Sequence, residues 1–193
     1  MTIGSLLARY LPPPQFLSMP SLGVDISDTS LKYVQFGDEK RAMRPLKMWG
    51  EIDIPTGVLD RGYVHDQKKL AEVLKECKQK TNATFVRVSL PEERAYLFET
   101  EIKRSTPTKE IRSLLEFRLE ENVPIPAREA FFDFNILKGE TTDKTVRVVV
   151  AAYARETILN YFDACNEAGL IPLSFEVEAQ AMVRSGLQTG ARG

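Results

Sequence analysis

The chain has 193 residues, 43% of them apolar, and a formal net charge of −1 from 26 basic and 27 acidic side chains. That length suits one large domain or two small ones around a sizeable core. Near-neutral charge excludes a nucleic-acid partner held by bulk electrostatics, and no apolar run approaches the roughly 18–20 residues that cross a bilayer.

Residues 1–19 come first. Leu6, Leu7, Tyr10 and Leu11 make at most one amphipathic turn, because Arg9 interrupts it and Pro12-Pro13-Pro14 stops it. The pattern is not that of a secretory signal, and the expectation is a flexible tail. Leu22 to Ile26 is short and apolar, Ser27-Asp28-Thr29 supplies turn chemistry, and Ser30 to Phe36 alternates. These are the marks of a β-hairpin with a polar tip. Lys40-Arg41 with Arg44 follows Asp38 and Glu39 and reads as a solvated turn. Met43 to Ile54 is extended, with Met48, Trp49, Ile52 and Ile54 as its anchors, until Pro55-Thr56-Gly57 breaks it. A polar loop runs on through Arg61-Gly62.

From Asp66 to Lys80, Leu70, Val73, Leu74 and Cys77 fall at helical spacing. Ala83 to Leu90 is a strand stopped by Pro91, and Arg94 to Ile102 alternates as another. Pro107 opens a second helix, where a missing N–H costs nothing. Its stripe is Ile111, Leu114, Leu115, Leu119 and Val123, and Pro124 and Pro126 end it. Phe131 to Leu137 and Thr145 to Tyr153 are strands around a turn at Gly139–Asp143. A third helix, Arg155 to Ala168, carries Ile158, Tyr161, Phe162 and Cys165 on one face, with Gly169 as its cap. Ile171 to Val177 is a strand, Glu178 to Leu187 begins a last helix, and residues 188–193 are a polar tail. This order is α/β, or mixed α+β: one unit over residues 20–92, a compact strand–helix–strand–strand–helix unit over 93–170, and a return to the first unit over 171–187.

Several residue types carry no chemistry here. Cys77 and Cys165 lie in helical stretches without metal-ligand spacing, which suggests two structural thiols in a reducing compartment. His65 is the single histidine and has no nucleophile assigned to it. Glu92-Glu93 and Glu120-Glu121 are adjacent pairs, so their side chains diverge and form no carboxylate dyad.

The hairpin is more informative. A tight turn exposes backbone N–H groups together, and Ser27, Thr29 and Ser30 add hydroxyls, so the tip is a candidate phosphate cradle. Asp25 ends the first strand, where a carboxylate holds a hydrated Mg²⁺. Lys32 supplies a point charge. The candidate cofactor-binding set is therefore Asp25, Ser27, Asp28, Thr29, Ser30 and Lys32, with Asp25 as an indirect metal contact. A solvated hairpin tip of the same composition is the competing reading.

The stretch Gly23-Val24-Asp25-Ile26-Ser27-Asp28-Thr29-Ser30-Leu31-Lys32 resembles the first phosphate hairpin of the actin-like ATPase superfamily. Asp25-Ile26 and Lys32 match that pattern. Ser27 departs from it, because the superfamily places glycine there so that backbone can approach the phosphate without a Cβ. The order of three further blocks is similar to the PilM family of type IV pilus assembly proteins. They are Gly23 through Gln35; Ser89-Leu90-Pro91, the strand Arg94–Ile102 and the helix from Glu110-Ile111 into Val123-Pro124-Ile125-Pro126 with Asp133 following; and Val148–Ala152, the helix through Ala168-Gly169-Leu170, Pro172 and Glu176-Val177-Glu178-Ala179-Gln180-Ala181.

The resemblance implies the first half of an actin-like ATPase fold. Residues 20–92 and 171–187 would be subdomain 1A, and 93–170 an inserted SHS2-like subdomain 1C. It implies ATP with Mg²⁺ in a full-length relative, and none stably bound by this chain, since the second phosphate hairpin belongs to the other half. It also implies an adaptor, not an enzyme: a cytoplasmic protein at the inner face of the membrane that docks the N-terminal peptide of a PilN-like inner-membrane protein. Self-association is a further expectation. Phe131 and Asp133, with Arg118 and Glu121, are the candidate partner contacts, because Phe132 and Phe134 point one way along their strand and Phe131 and Asp133 the other. The alternatives within the superfamily are part of an FtsA-like cell-division protein and part of an ATP-dependent kinase. The kinase would need a catalytic Asp, for which no residue is assigned.

Overall fold

The computed structural model describes residues 20–37, 45–137, 144–178 and 181. Expectations for residues 1–19, for Lys40, Arg41, Met43 and Arg44, for the Gly139–Asp143 turn, and for the tail lie outside the described residues. So does most of the last helix; Glu178 and Ala181 are helical.

The first sheet has five strands. β1 (Ser21–Ile26) and β2 (Ser30–Phe36) form the expected hairpin, and β3 (Leu46–Asp53) pairs antiparallel with β2. β6 (Phe85–Leu90) runs parallel to β1, and β10 (Ile171–Val177) parallel to β6, giving the order β10-β6-β1-β2-β3. Alternation puts Leu22, Val24, Ile26, Leu31, Ile52, Val86 and Val88 on one face, all buried. That face packs in one core with α1 (Gln67–Thr81), through Leu70, Leu74 and Cys77, and with α3 (Arg155–Glu167), through Tyr161, Ala164 and Cys165. Each fully buried leucine contributes about 2 kcal/mol.

α1 starts where Asp66 accepts the Lys69 N–H at 3.0 Å, an N-cap that satisfies an orphan donor. It ends on Asn82 in the left-handed region, φ 53°, whose N–H returns to the Lys78 carbonyl. Lys78 Nζ also donates to the Gly169 carbonyl at 2.6 Å, tying the end of α1 to the turn after α3. Gly169 has φ 73°, a conformation that favours glycine, and a Cβ there would lie 2.6 Å from Lys78 Nζ.

The second sheet has the order β7-β9-β8, all antiparallel: β7 (Tyr96–Lys103), β9 (Thr145–Ala154) and β8 (Ala130–Ile136). α2 (Thr108–Asn122) covers one face of it with Ile111, Leu115 and Leu119, against Ile102, Val148, Val150, Ala152, Phe132 and Phe134. Val123 is buried as expected, and Leu114 is half-buried.

Three expectations are corrected. Trp49 does not anchor its strand; it is 73% exposed. Trp49 lies opposite Val34, on the face turned away from α1 and α3, whereas Ile52 lies opposite Leu31 on the core face. Phe162 is 41% exposed, because the buried stripe of α3 runs through Thr157, Tyr161, Ala164 and Cys165. Arg94 does not start a strand; it closes a 3-10 turn, Glu92–Arg94, and the strand begins at Tyr96. Within the expected polar loop, β4 (Leu59–Asp60) and β5 (Tyr63–Val64) form a short ladder around Arg61 and Gly62, both at positive φ.

Candidate functional site

The β1–β2 register places Asp25 directly opposite Lys32, and Asp25 lies beside Ser89 of β6, which lies beside Glu176 of β10. One polar row thus crosses the outward face of the first sheet. Together with Glu178 it borders a cavity of ≈ 560 Å³, whose other end is lined by Gly23, Val34 and Phe36. A Cβ on Gly23 would lie 3.1 Å from Val34 Cγ1, so glycine keeps that floor clear. The Glu178 carboxyl is pushed up, first by burial and then by the negative charge of Asp25, Glu92 and Glu93. Glu178 is a site residue that sequence reasoning missed; its position just after the strand Ile171–Val177, at the start of the next helix, was the available signal.

The hairpin tip divides the predicted cofactor set. Ser27 Oγ donates to the Ser30 carbonyl at 3.0 Å and accepts the Ser30 N–H at 3.2 Å, so it closes its own turn. Ser30 is buried. Asp28 accepts the Arg61 N–H on Oδ2 at 2.6 Å and the Gly62 N–H on Oδ1 at 3.0 Å. Both of its oxygens are therefore committed to the β4–β5 turn, and Asp28 leaves the phosphate-facing set. Thr29 and Lys32 are exposed and Asp25 is half-buried. These three are the members of the set that stay accessible. Among the described residues no cluster of three or more His, Cys, Asp or Glu could hold a metal directly.

The second candidate surface lies on β8. Phe131 and Asp133 project from the face of the second sheet opposite α2. Arg155, which opens α3, stacks its guanidinium 4.2 Å from the Phe131 ring centroid. Asp133 Oδ1 accepts the Phe134 N–H at 2.9 Å. Across the sheet, Leu97 lies opposite Ala151, which lies opposite Asp133, and Leu97 is 50% exposed. Arg147 of β9 pairs with Glu99 at the rim. Leu97 and Arg155 therefore belong with Phe131; the alternation of Arg94–Ile102 held the signal for Leu97.

Arg118 and Glu121 do not join them. Arg118 donates to the Thr100 hydroxyl and, at 2.7 Å, to the Glu101 carbonyl. It therefore sits on the α2 side, and the sheet separates it from Phe131. Glu121 is on the same helix and exposed. The four predicted partner contacts are thus two surfaces.

The two sheets meet close by. Tyr153 Oη donates to the Pro91 carbonyl at 3.1 Å, and Tyr161 Oη donates to the Gly62 carbonyl at 3.0 Å, both buried. Burial pushes both phenols up, so they remain neutral donors. Arg94 donates to the Arg61 carbonyl at 2.9 Å and lies 5.5 Å from the Tyr63 ring centroid. The junction is held by specific polar contacts around the β4–β5 turn, which Asp28 also grips.

A family model described as "Type IV pilus assembly protein PilM" matches residues 23–189. A solved structure described as a PilM-PilN type IV pilus biogenesis complex matches with a TM-score of 0.77 at 26% identity, over 86% of this chain and 49% of that one. The chain thus spans about half the length of that relative. The cytoplasmic domain of EpsL, an inner-membrane component of the type II secretion system of Vibrio cholerae, matches with a TM-score of 0.53 at 15% identity, over 80% of this chain and 56% of that one. That likeness concerns the fold alone. No curated protein matches the sequence. The family match extends over most of the chain, and the mixed sheets with the helices α1, α2 and α3 among the described residues are similar to the actin-like fold of PilM. The chain belongs to the PilM family of type IV pilus assembly proteins.

Proposed function

We propose that this chain is a cytoplasmic docking module of type IV pilus assembly. It takes up the N-terminal cytoplasmic peptide of a PilN-like inner-membrane protein and does not turn over nucleotide by itself. The observation that carries the reading is two exposed apolar side chains on one face of the second sheet, Leu97 on β7 and Phe131 on β8 with Arg155 stacked on it, beside a junction fixed by Tyr153 and Tyr161. The likeness to a PilM structure solved with PilN supports it. An extended peptide there gains apolar contact with Leu97 and Phe131. Polar groups at the rim, Glu99 with Arg147 and Asp133, set its register.

ATP with Mg²⁺ is proposed for the trough at Asp25, Thr29 and Lys32, as one wall of a site. The Cβ of Ser27 and the commitment of Asp28 remove part of the usual cradle. A triphosphate held from one side stays open to water and weakly ordered. The second subdomain, residues 93–170, is proposed as the inserted docking subdomain, and the protein as peripheral to the inner face of the membrane through its partner.

Titration calorimetry with a PilN-like N-terminal peptide tests the docking role. Saturable binding is expected. Phe131→Ala should weaken it by about 1–3 kcal/mol, the range for truncating an aromatic anchor. Phe117→Ala, on the opposite side of the subdomain, should leave it unchanged. Phosphate release from ATP by the chain alone, lost in Lys32→Ala, would instead favour the kinase-like reading.

A further inference from the structure

The second sheet has the order β7-β9-β8, so β8 is an edge strand with no strand beyond it among the described residues. Exposed edges are usually blunted by lysine, proline or a bulge. β8 contains neither lysine nor proline, and its ladder with β9 runs without a register shift. The Leu137 N–H donates to the Arg147 carbonyl at 2.9 Å. Main-chain groups alternate sides along a strand. Those of Phe131, Asp133 and Asn135 therefore also face β9, and those of Phe132, Phe134 and Ile136 face outward. Two contacts reach this open edge. The Phe134 N–H turns to its neighbour Asp133 Oδ1 at 2.9 Å, and the Phe132 carbonyl accepts Arg112 at 3.4 Å. The second leaves that carbonyl a further lone pair. Ile136 is 47% exposed at the end of the strand.

The edge is complementary to itself. A second copy placed antiparallel, with a two-fold axis at Phe134, sets Phe134 opposite Phe134, Phe132 opposite Ile136, Asp133 opposite Asn135 and Phe131 opposite Leu137. The outward N–H and C=O groups from Phe132 to Ile136 then find counterparts. Apolar side chains meet apolar ones, and the carboxylate meets an amide. An axis at Asp133 would oppose two carboxylates, and an axis at Asn135 would set Asp133 against Leu137. The other edge, β7, offers no such register. Axes at Glu99, Thr100 and Glu101 each put a glutamate against a glutamate, and Arg118 already holds the outward Glu101 carbonyl at 2.7 Å.

We propose that two copies of the chain join through β8, antiparallel about Phe134, into one six-stranded sheet. Asp133 changes partner in the process. It releases the Phe134 N–H to the second copy's Phe134 carbonyl and takes the side-chain amide of the second copy's Asn135. The axis stands perpendicular to the sheet, so Leu97 and Phe131 of both copies face the same way. The inference does not rest on the docking reading, and its test needs no peptide.

Sedimentation velocity of the whole chain should show a reversible rise toward twice the single-chain mass at concentrations up to about 1 mM, where even weak association is populated. Asn135→Lys faces Asp133 of the second copy and should tighten the dimer several-fold, whereas Asn135→Asp should weaken it several-fold. Ile136→Lys should abolish it with the circular dichroism unchanged. Positions 133 and 135 become a close pair across the new ladder. An Asp133→Cys chain mixed with an Asn135→Cys chain should therefore form a disulfide under oxidised glutathione faster and more fully than either chain alone. If Ile136→Lys fails to fold, the two Asn135 variants and the mixed disulfide decide. A single-chain mass at every concentration overturns the proposal. So does a dimer that folded Ile136→Lys leaves intact, or one that Asn135→Lys and Asn135→Asp shift alike.

Discussion

Asp28 shows how a residue of the hairpin tip can serve structure. Its two carboxylate oxygens accept the Arg61 and Gly62 N–H groups, both in a turn of positive φ. Asp28→Ala removes two charge-assisted bonds, and a stability loss of about 2 kcal/mol is expected in a urea titration. Amide exchange at Arg61 and Gly62 should quicken as well. Asp28→Asn, which keeps an acceptor, should lose less. The hairpin itself was legible from Leu22 to Phe36, because its alternation and turn residues are local signals. The partner of Asp28 was not, because 33 residues separate it from Arg61 and no local pattern encodes that distance. The thiols are a second case at this scale. Burial pushes Cys77 and Cys165 up to about 12 from 9.0. The folded values exceed the unfolded one, so this stabilisation is complete below pH 9.0 and is lost as pH rises toward 12. Denaturation midpoints should fall across that alkaline range, and the fall should be shallower in a Cys77→Ala, Cys165→Ala variant.

Among the elements, periodicity gave the locations and alternation gave the faces. The helix over Asp66–Lys80 was legible because Leu70, Val73, Leu74 and Cys77 share one side, and all four are buried. Trp49 and Phe162 were misplaced for one shared reason. Each is a large apolar residue directly next to the inward-facing position, Trp49 beside half-buried Met48 and Phe162 beside buried Tyr161. Size argued for burial, but the period of the element argued against it. The prediction at this scale contrasts two residues of α2. Leu115 is fully buried and Phe117 is 68% exposed. Leu115→Ala should cost about 3 kcal/mol through lost burial and a cavity. Phe117→Ser should change stability by less than about 0.5 kcal/mol. Thermal or urea unfolding of the two variants measures the difference.

At the scale of the whole molecule, the order of blocks carried more than any single motif. The hairpin alone is a common polar turn. The hairpin, the Ser89-Leu90-Pro91 strand, the proline-ended helix and the final return strand, in that order, matched one family over residues 23–189. The return of β10 to lie parallel with β6 was legible as a last apolar strand, but its register was not, because parallel pairing is set by contacts more than eighty residues apart. The proposed docking surface was half legible. Alternation separated Phe131 and Asp133 from Phe132 and Phe134, yet it could not say that α2 covers one face only, which puts Arg118 and Glu121 on a different surface from Phe131.

The docking claim is tested most directly by the footprint of the peptide. Hydrogen exchange should be followed with and without a saturating PilN-like N-terminal peptide. Protection is expected along β7 and β8 around Leu97 and Phe131 and at the start of α3 near Arg155, with the Asp25–Lys32 hairpin and the outer side of α2 unchanged. Protection confined to α2 or the hairpin, or no protection at saturation, would contradict the account.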